Sequence, residues 1–166
     1  AVAGDIVTVI STSVTGAGYF NITGLSVADD LIDFNQPLLA DNGIVTAIAE
    51  DVTRADINLI DTAKTFTLVS QALSTDAIDL FLAGTTTMAQ FLVQAQTAMT
   101  VSGGASSGLD AALADGSKVL VGLVDNEDSA VFYVQNTVAG GGANNLDTTE
   151  IELVGIIQAD ILTAAQ

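Results

Sequence analysis

Carboxylates and side-chain amides are the groups in this chain that could carry chemistry, and they gather at predicted turns. Calcium takes about six to eight oxygen ligands in forgiving geometry, so ligands from two neighbouring loops can share one ion. We therefore predict calcium binding; the alternative for each turn is a polar tip in water. The candidate ligands are Asp29, Asp30, Asp33, Asp125, Asn126, Glu127, Asp128, Asn145, Asp147 and Glu150.

Other kinds of catalytic or metal site are excluded by composition. The chain has no His and no Cys, which removes Ser–His and Cys–His nucleophile systems, the usual zinc sites and disulfides. A glycosidase-type pair of carboxylates stays open, but the chain has two Tyr and no Trp to form a sugar platform. We predict that the protein is not an enzyme.

The charge is strongly one-sided: 20 acidic residues stand against three basic ones, for a net charge of −17. A chain without a basic patch is not expected to bind nucleic acid, and an anionic membrane surface would repel it. No apolar run approaches the roughly 20 residues of a membrane span, so membrane insertion is not expected. Acidity of this kind suits divalent cations or a salty surrounding; alternatively, it only keeps a Thr/Ala-rich protein in solution.

Three apolar runs must position the second and third groups of candidate ligands. They are Val119–Val124, Ala130–Val134 and Glu150–Val154, and they read as an antiparallel meander. The acidic turn Asp125–Asp128 joins the first two runs, and a Gly/Asn loop that ends at Asp147 joins the second to the third.

The middle of the chain is predicted to be helical. Ser74-Thr75-Asp76 opens one helix that Gly84 ends, and Thr87 with Gln90 forms a capping box for a second. A short helical turn is expected at Leu109–Ala114. The predicted core face of the second helix consists of Met88, Phe91, Leu92, Ala95, Ala98 and Met99.

The first third of the chain reads as β-structure. Gly4–Ser11 and Tyr19–Ile22 are predicted strands, and a short strand reaches Phe34 after the turn with Asp29 and Asp30. Residues 50–66 fit both periods and are predicted to be irregular with a short strand. The expected fold is α+β: a mostly antiparallel, sandwich-like sheet with two or three short helices in the middle of the chain.

Two parts are expected along the chain. Residues 1–14 form an N-terminal β-strand segment that could be exchanged between subunits, because the VTVI run precedes the first convincing turn. Residues 15–166 form a single calcium-binding α+β domain. The first residues contain neither Met nor a basic region, which favours a processed or trimmed chain.

Three segments resemble the C-terminal regions of RTX/haemolysin-type, calcium-binding bacterial surface proteins that leave the cell by type I secretion. They are Leu25–Phe34, Val131–Gly155 and Ile151–Gln166, although the tandem Gly-Gly-x-Gly-x-Asp repeats of that family are not present. The resemblance implies export without disulfides, extracellular calcium and a place at the cell surface or in a biofilm matrix, as in adhesins and S-layer proteins.

The expected function is therefore structural: an extracellular protein that self-assembles into a filament, surface layer or matrix, with calcium-stabilised loops. Few charges guard the predicted strands, so pairing of strand edges between copies would build the homo-oligomer or polymer. One alternative is a monomeric calcium-dependent adhesin for cell adhesion. The other is a fragment of a secreted hydrolase.

Overall fold

A computed structural model describes the parts of the chain that build its central sheet and its helices. The described residues are 6–9, 18–24, 31–34, 50–53, 66–70, 72–99, 116, 118–135 and 146–158.

Eight strands, two α-helices and one 3-10 turn make up the described structure. The strands are β1 (Ile6–Val9), β2 (Phe20–Thr23), β3 (Leu31–Phe34), β4 (Glu50–Thr53), β5 (Phe66–Ser70), β6 (Lys118–Val124), β7 (Ser129–Gln135) and β8 (Ile151–Gln158). The helices are α1 (Ala77–Leu82) and α2 (Met88–Met99), and the 3-10 turn is Thr148–Glu150.

A mixed six-stranded sheet is the centre of the fold, with strand order β2-β8-β7-β6-β5-β4. The predicted meander is confirmed, since β7 runs antiparallel to both β6 and β8. The outer pairs, β2 with β8, β5 with β6 and β4 with β5, are parallel. The α+β class is therefore confirmed, whereas the mostly antiparallel sheet is corrected to a mixed one because strands distant in sequence join both sides of the meander.

A separate two-stranded parallel sheet is formed by β1 and β3. The predicted strand at the N-terminus thus pairs within its own chain. Only four residues of the predicted segment 1–14 belong to β1, and the remainder lies outside the described residues.

The two helices pack on one face of the sheet and enclose the main hydrophobic core. Val121, Phe132 and Leu153, from the three meander strands, are buried in this core beside Ile78 and Phe91. The rings of Phe81 and Phe91 stack at 4.6 Å between centroids, and Phe91 meets Phe132 at 5.8 Å. Aromatic rings therefore join α1 and α2 to the middle of the sheet.

The capping box predicted for α2 is confirmed, because the Thr87 backbone N–H donates to Gln90 Oε1 at 2.9 Å and the Gln90 N–H donates to Thr87 Oγ1 at 3.3 Å. Most of the predicted core face is also confirmed. Met88 is the exception: it is 38% exposed because it lies at the first helical residue, beyond the edge of the core. The helical turn predicted at Leu109–Ala114 lies outside the described residues.

The opposite face of the sheet is apolar and buried as well, and two glycines shape it. A Cβ at Gly122 would lie 2.6 Å from Leu68 Cδ1 and 2.7 Å from Phe66 Cζ. A Cβ at Gly155 would overlap the Phe20 ring. Each glycine therefore makes room for a phenylalanine from the strand that pairs beside it in parallel.

Candidate functional site

The acidic turn between β6 and β7 is built around the side chain of Asp125. Its Oδ1 accepts hydrogen bonds from the backbone N–H groups of Glu127 at 3.0 Å and Asp128 at 2.9 Å. The Asp125 N–H donates to the Asp128 carbonyl oxygen at 3.1 Å, which closes the turn. The local sequence folds this way because an aspartate readily bonds backbone N–H groups two and three residues ahead.

The same carboxylate also holds the start of α1. The Ile78 N–H donates to Asp125 Oδ2 at 3.1 Å, across 47 residues of sequence. The residue at the helix cap position, Asp76, has a left-handed backbone with φ of 60° and makes no side-chain cap bond. Three of the roughly four acceptor positions of Asp125 are thus taken by backbone N–H groups, which is a structural role.

The other members of this turn differ in their exposure. Asp128 is buried at 6% exposure and takes part in further interactions, whereas Asn126 and Glu127 are exposed. Two exposed side chains offer far fewer oxygens than the six to eight or so that calcium takes. The turn between β6 and β7 is held by hydrogen bonds to backbone groups.

The turn before β8 shows a second use of carboxylates as caps. Asp147 Oδ1 accepts from the Thr149 N–H at 2.9 Å, and the Asp147 N–H donates to Glu150 Oε2 at 2.8 Å. This is a reciprocal capping box on the 3-10 turn. The backbone hydrogen bond from Thr149 lowers the pKa of Asp147 below its ordinary value of 3.8.

The two acidic turns lie at opposite ends of the sheet. Val124 and Ser129, which flank the first turn, pair at one end of β7, whereas Val134 pairs with Ile151 at the other. Seven residues of β7 separate the ends, or roughly 20 Å at the rise of a strand. Ligands from these two turns therefore do not come together around one ion, because successive turns of a meander alternate between ends.

Of the remaining predicted ligands, the structure describes some and not others. Asp33 lies in β3, in register with Thr8 of β1. Asp29, Asp30 and Asn145 lie outside the described residues. Within the ranges that the structure describes, no group of three or more His, Cys, Asp or Glu residues is arranged to hold a metal ion. Calcium binding by the predicted residues stays a prediction.

A cavity of about 280 Å³ lies beside the turn before β8, and its lining includes Tyr133, Glu150 and Glu152. Burial, and secondly the negative charge of Glu152, raises the pKa of Tyr133 above its ordinary 10.0. The Tyr133 hydroxyl donates to Gln135 Oε1 at 3.4 Å. The cavity thus combines a neutral phenol with carboxylates. Sequence reasoning missed this cavity because Tyr133 and Glu152 stand inside strand patterns.

The two edges of the six-stranded sheet differ in charge. β2 contains no charged residue; Asn21 and Thr23 are exposed, while Phe20 and Ile22 are half-buried. β4, at the other edge, begins with Glu50 and Asp51. Among the described strands, β2 pairs with β8 alone and β4 with β5 alone. Each edge therefore has one side that is not paired to a described strand, and only the β4 edge carries charges that would repel an added strand.

Neither helix in the described part of the chain is long and apolar enough to cross a membrane. The family resemblance and the extracellular location inferred from it stay predictions. Comparison of the chain with protein-family models, curated proteins and solved structures gives no match.

Proposed function

We propose that this chain is an extracellular structural protein whose copies associate edge to edge through β2, with calcium reducing the repulsion between them. The observation that carries the proposal is the uncharged β2 edge of a sheet whose other edge strand contains two acids. Exposed strand edges pair readily with other strands unless charge, proline or a bulge protects them.

The partner strand is β2 of a second copy. β2 is itself neutral, whereas β1, the strand expected to be exchanged, pairs with β3 of its own chain. Antiparallel pairing of two β2 strands would join two six-stranded sheets about a two-fold axis. Phe20 and Ile22 are half-buried in the single chain, so the added strand would also cover apolar surface.

Calcium would act by weakening the charge repulsion between copies of the chain. Each copy carries a net charge of −17, so two copies repel one another at low salt. Divalent cations that bind or gather at the acidic surface weaken this repulsion. Extracellular calcium is what the resemblance to secreted surface proteins implies, and the absence of Cys agrees with export without disulfides.

Sedimentation velocity over a range of concentrations tests the proposal. The native chain should form larger species as concentration rises, more strongly in calcium than in chelator at matched ionic strength. Asn21→Glu places a carboxylate at the edge and should weaken association about tenfold or more, since like charges would face each other across the new strand pair. Thr75→Glu is the matched control, because it adds the same charge at an exposed position outside β2 and outside the candidate calcium ligands.

The outcomes separate the alternatives. Association that is equally strong in Asn21→Glu would remove β2 from the contact. A native chain that stays monomeric in calcium at every concentration would overturn self-assembly and favour the monomeric adhesin. Equal association in calcium and in chelator would remove calcium from the proposal while leaving the edge contact in place.

A further inference from the structure

The three N-terminal strands are joined to the central sheet by one short strand pair. Among the described strands, β1 and β3 pair only with each other, and β2, which lies between them in sequence, pairs only with β8. The β2–β8 pair runs for four residues, from Phe20 beside Gly155 to Thr23 beside Gln158. β1, β2 and β3, which we call the N-terminal unit, therefore have this single strand pairing with the rest of the described sheet.

Two aromatic contacts complete the attachment of the N-terminal unit. The Phe20 ring occupies the space beside Gly155, where a Cβ would overlap it. The Tyr19 ring meets Phe81 of α1 at 5.5 Å between centroids. Tyr19 and Phe20 are both half-buried. All residues paired between β2 and β8 are uncharged, so a β2 strand from another copy would meet no repulsion at this position.

Left-handed glycines lie at both ends of β2. Gly18 has φ of 76° and Gly24 has φ of 74°, and a Cβ at either would meet nothing within 4 Å. Glycine adopts this backbone far more readily than other residues, so the pairing is limited to the four residues of β2. A short edge strand with half-buried apolar side chains belongs to the part of a fold that opens most readily.

We infer that the N-terminal unit is exchanged between copies of this chain, so that β2 of one copy pairs with β8 of another and its Phe20 ring occupies the space beside Gly155 there. The exchanged contacts are the ones that a single chain makes with itself, which is why exchange of an identical element is a low-cost route to a dimer. The connection from β3 to β4 contains 15 residues, 35–49. It can span at most about 50 Å between the two copies.

The exchange rests on the proposed function, and it explains how edge pairing would lead beyond a dimer. The edge contact between two β2 strands has a two-fold axis and stops at two copies. Reciprocal exchange is a second two-fold contact, and it uses the side of β2 that faces β8. The other side of β2 stays free to pair at the edge. A subunit with both contacts continues as a linear chain.

A cysteine pair across β2 and β8 tests the exchange, because the chain has no Cys of its own. Thr23 and Gln158 lie in register on neighbouring strands, at a spacing that a disulfide can bridge. Thr23→Cys with Gln158→Cys should be oxidised after association at high concentration in calcium, and then denatured without reductant. Exchange predicts a covalent dimer, whereas a chain that keeps its own β2 gives a covalently closed monomer.

The two single variants are the matched controls for that measurement. Thr23→Cys alone and Gln158→Cys alone should remain monomers after denaturation, because exchange brings residue 23 beside residue 158 and not beside a second residue 23. Covalent dimers that are equally abundant in either single variant would overturn the exchange. Before oxidation, the double variant should sediment like the native chain, which checks that it folds and associates.

Oxidation of the double variant at high dilution gives an independent test, because it closes the disulfide within one chain. The closed chain keeps β2 on its own β8, so on concentration in calcium it should stop at dimers, and reduction should restore polymers. A closed chain that polymerises like the native one would overturn the exchange.

The exchange and the edge contact fail in different ways. Closed monomers alone after oxidation at high concentration, with association still lost in Asn21→Glu, would overturn the exchange and keep the edge contact. Covalent dimers that persist when Asn21→Glu is added, with association as strong as in the native chain, would retain the exchange and remove the edge contact. A native chain that stays monomeric and a double variant that gives no covalent dimer would overturn both.

Discussion

The central sheet has two flanks: the β2 flank, where β2 pairs with β8, and the β4 flank, where β4 and β5 join β6. The two flanks are alike in construction, but their edge strands differ in charge. On the β2 flank, β8 pairs in parallel with β2, and Phe20 lies over Gly155. On the β4 flank, β6 pairs in parallel with β5, and Phe66 lies over Gly122. In both, a glycine in a meander strand makes room for the ring from the neighbouring strand.

The flanks differ in how they are anchored and in what they show at the edge. The segment after β5 is tied to the end of β6, because the Ala72 and Leu73 N–H groups both donate to the Val124 carbonyl oxygen at 3.0 Å. Asp125 then holds α1 by a partly buried hydrogen bond. The β2 flank has the exposed cap at Asp147. It also has a part-buried hydrogen bond from Gln96 Nε2 to the Leu146 carbonyl oxygen and a contact between the Tyr19 and Phe81 rings at 5.5 Å. The flank that Asp125 ties to α1 has the acidic edge strand, and the other has the neutral one.

Removing the Asp125 carboxylate should have the largest effect on stability. Asp125→Ala deletes three hydrogen bonds from backbone N–H groups, and we expect the free energy of unfolding to fall by about 2–3 kcal/mol. Chemical denaturation measures this change. Amide exchange should show faster opening at α1 and β5 than at β2, which would confirm that Asp125 anchors the β4 flank.

Glu127→Ala is the control for that substitution. It removes a carboxylate from the same turn, but the Glu127 side chain is exposed and the turn uses its backbone N–H. Its free energy of unfolding should change by less than about 0.5 kcal/mol. Equal losses in the two variants would show that net charge, rather than the capping geometry of Asp125, determines the stability of this turn.

The two glycines allow a matched comparison of the flanks. Gly122→Ala should lower the free energy of unfolding by about 1–3 kcal/mol, because its methyl group meets Phe66 and Leu68, which are both buried. Gly155→Ala displaces Phe20, which is only half-buried, so β2 should loosen locally with a smaller global loss. Denaturation together with amide exchange distinguishes the two results. Equal global losses would show that the burial of the displaced side chains does not determine the cost.

Neutralising the β4 edge should make it resemble the β2 edge. The double substitution Glu50→Gln and Asp51→Asn removes the two carboxylates of that strand, and we expect association to strengthen roughly threefold to tenfold, since repulsion at that edge falls. The control is Asp76→Asn together with Asp79→Asn, which makes the same charge change at exposed positions outside the candidate calcium ligands. Equal gains in the two double variants would attribute the effect to net charge alone.

Acid should loosen the cap of the β2 flank in a small, local step. The pKa of Asp147 is lowered in the folded chain, so the cap contributes fully above the ordinary value of 3.8 and is lost as pH falls through the lowered pKa. The Thr149 amide resonance should shift in that range, and Asp147→Asn should abolish the shift. A Thr149 amide that titrates at or above pH 3.8 would contradict the hydrogen-bonded cap.

Much of the fold follows from short-range patterns. The meander strands were predictable because they are continuous apolar runs separated by turn residues, and the structure places them at Lys118–Val124, Ser129–Gln135 and Ile151–Gln158. The capping box of α2 was predictable because Thr87 and Gln90 are three residues apart. Both features depend on neighbouring residues alone.

Features that depend on distant residues were missed. β5 follows a stretch that fits both helix and strand periods, and its parallel pairing with β6 joins segments about 50 residues apart. The partner of the α1 amide, Asp125, is likewise 47 residues away. The opposite placement of the two acidic turns could have been inferred from the alternating strand directions of the predicted meander.

The most direct test of edge association is sedimentation velocity of the native chain and Asn21→Glu in calcium over a hundredfold range of concentration. We predict species that grow with concentration for the native chain and for Thr75→Glu, and association about tenfold weaker or more for Asn21→Glu. A native chain that remains monomeric over the whole range, or an Asn21→Glu variant that associates as strongly as the native chain, would contradict association through β2.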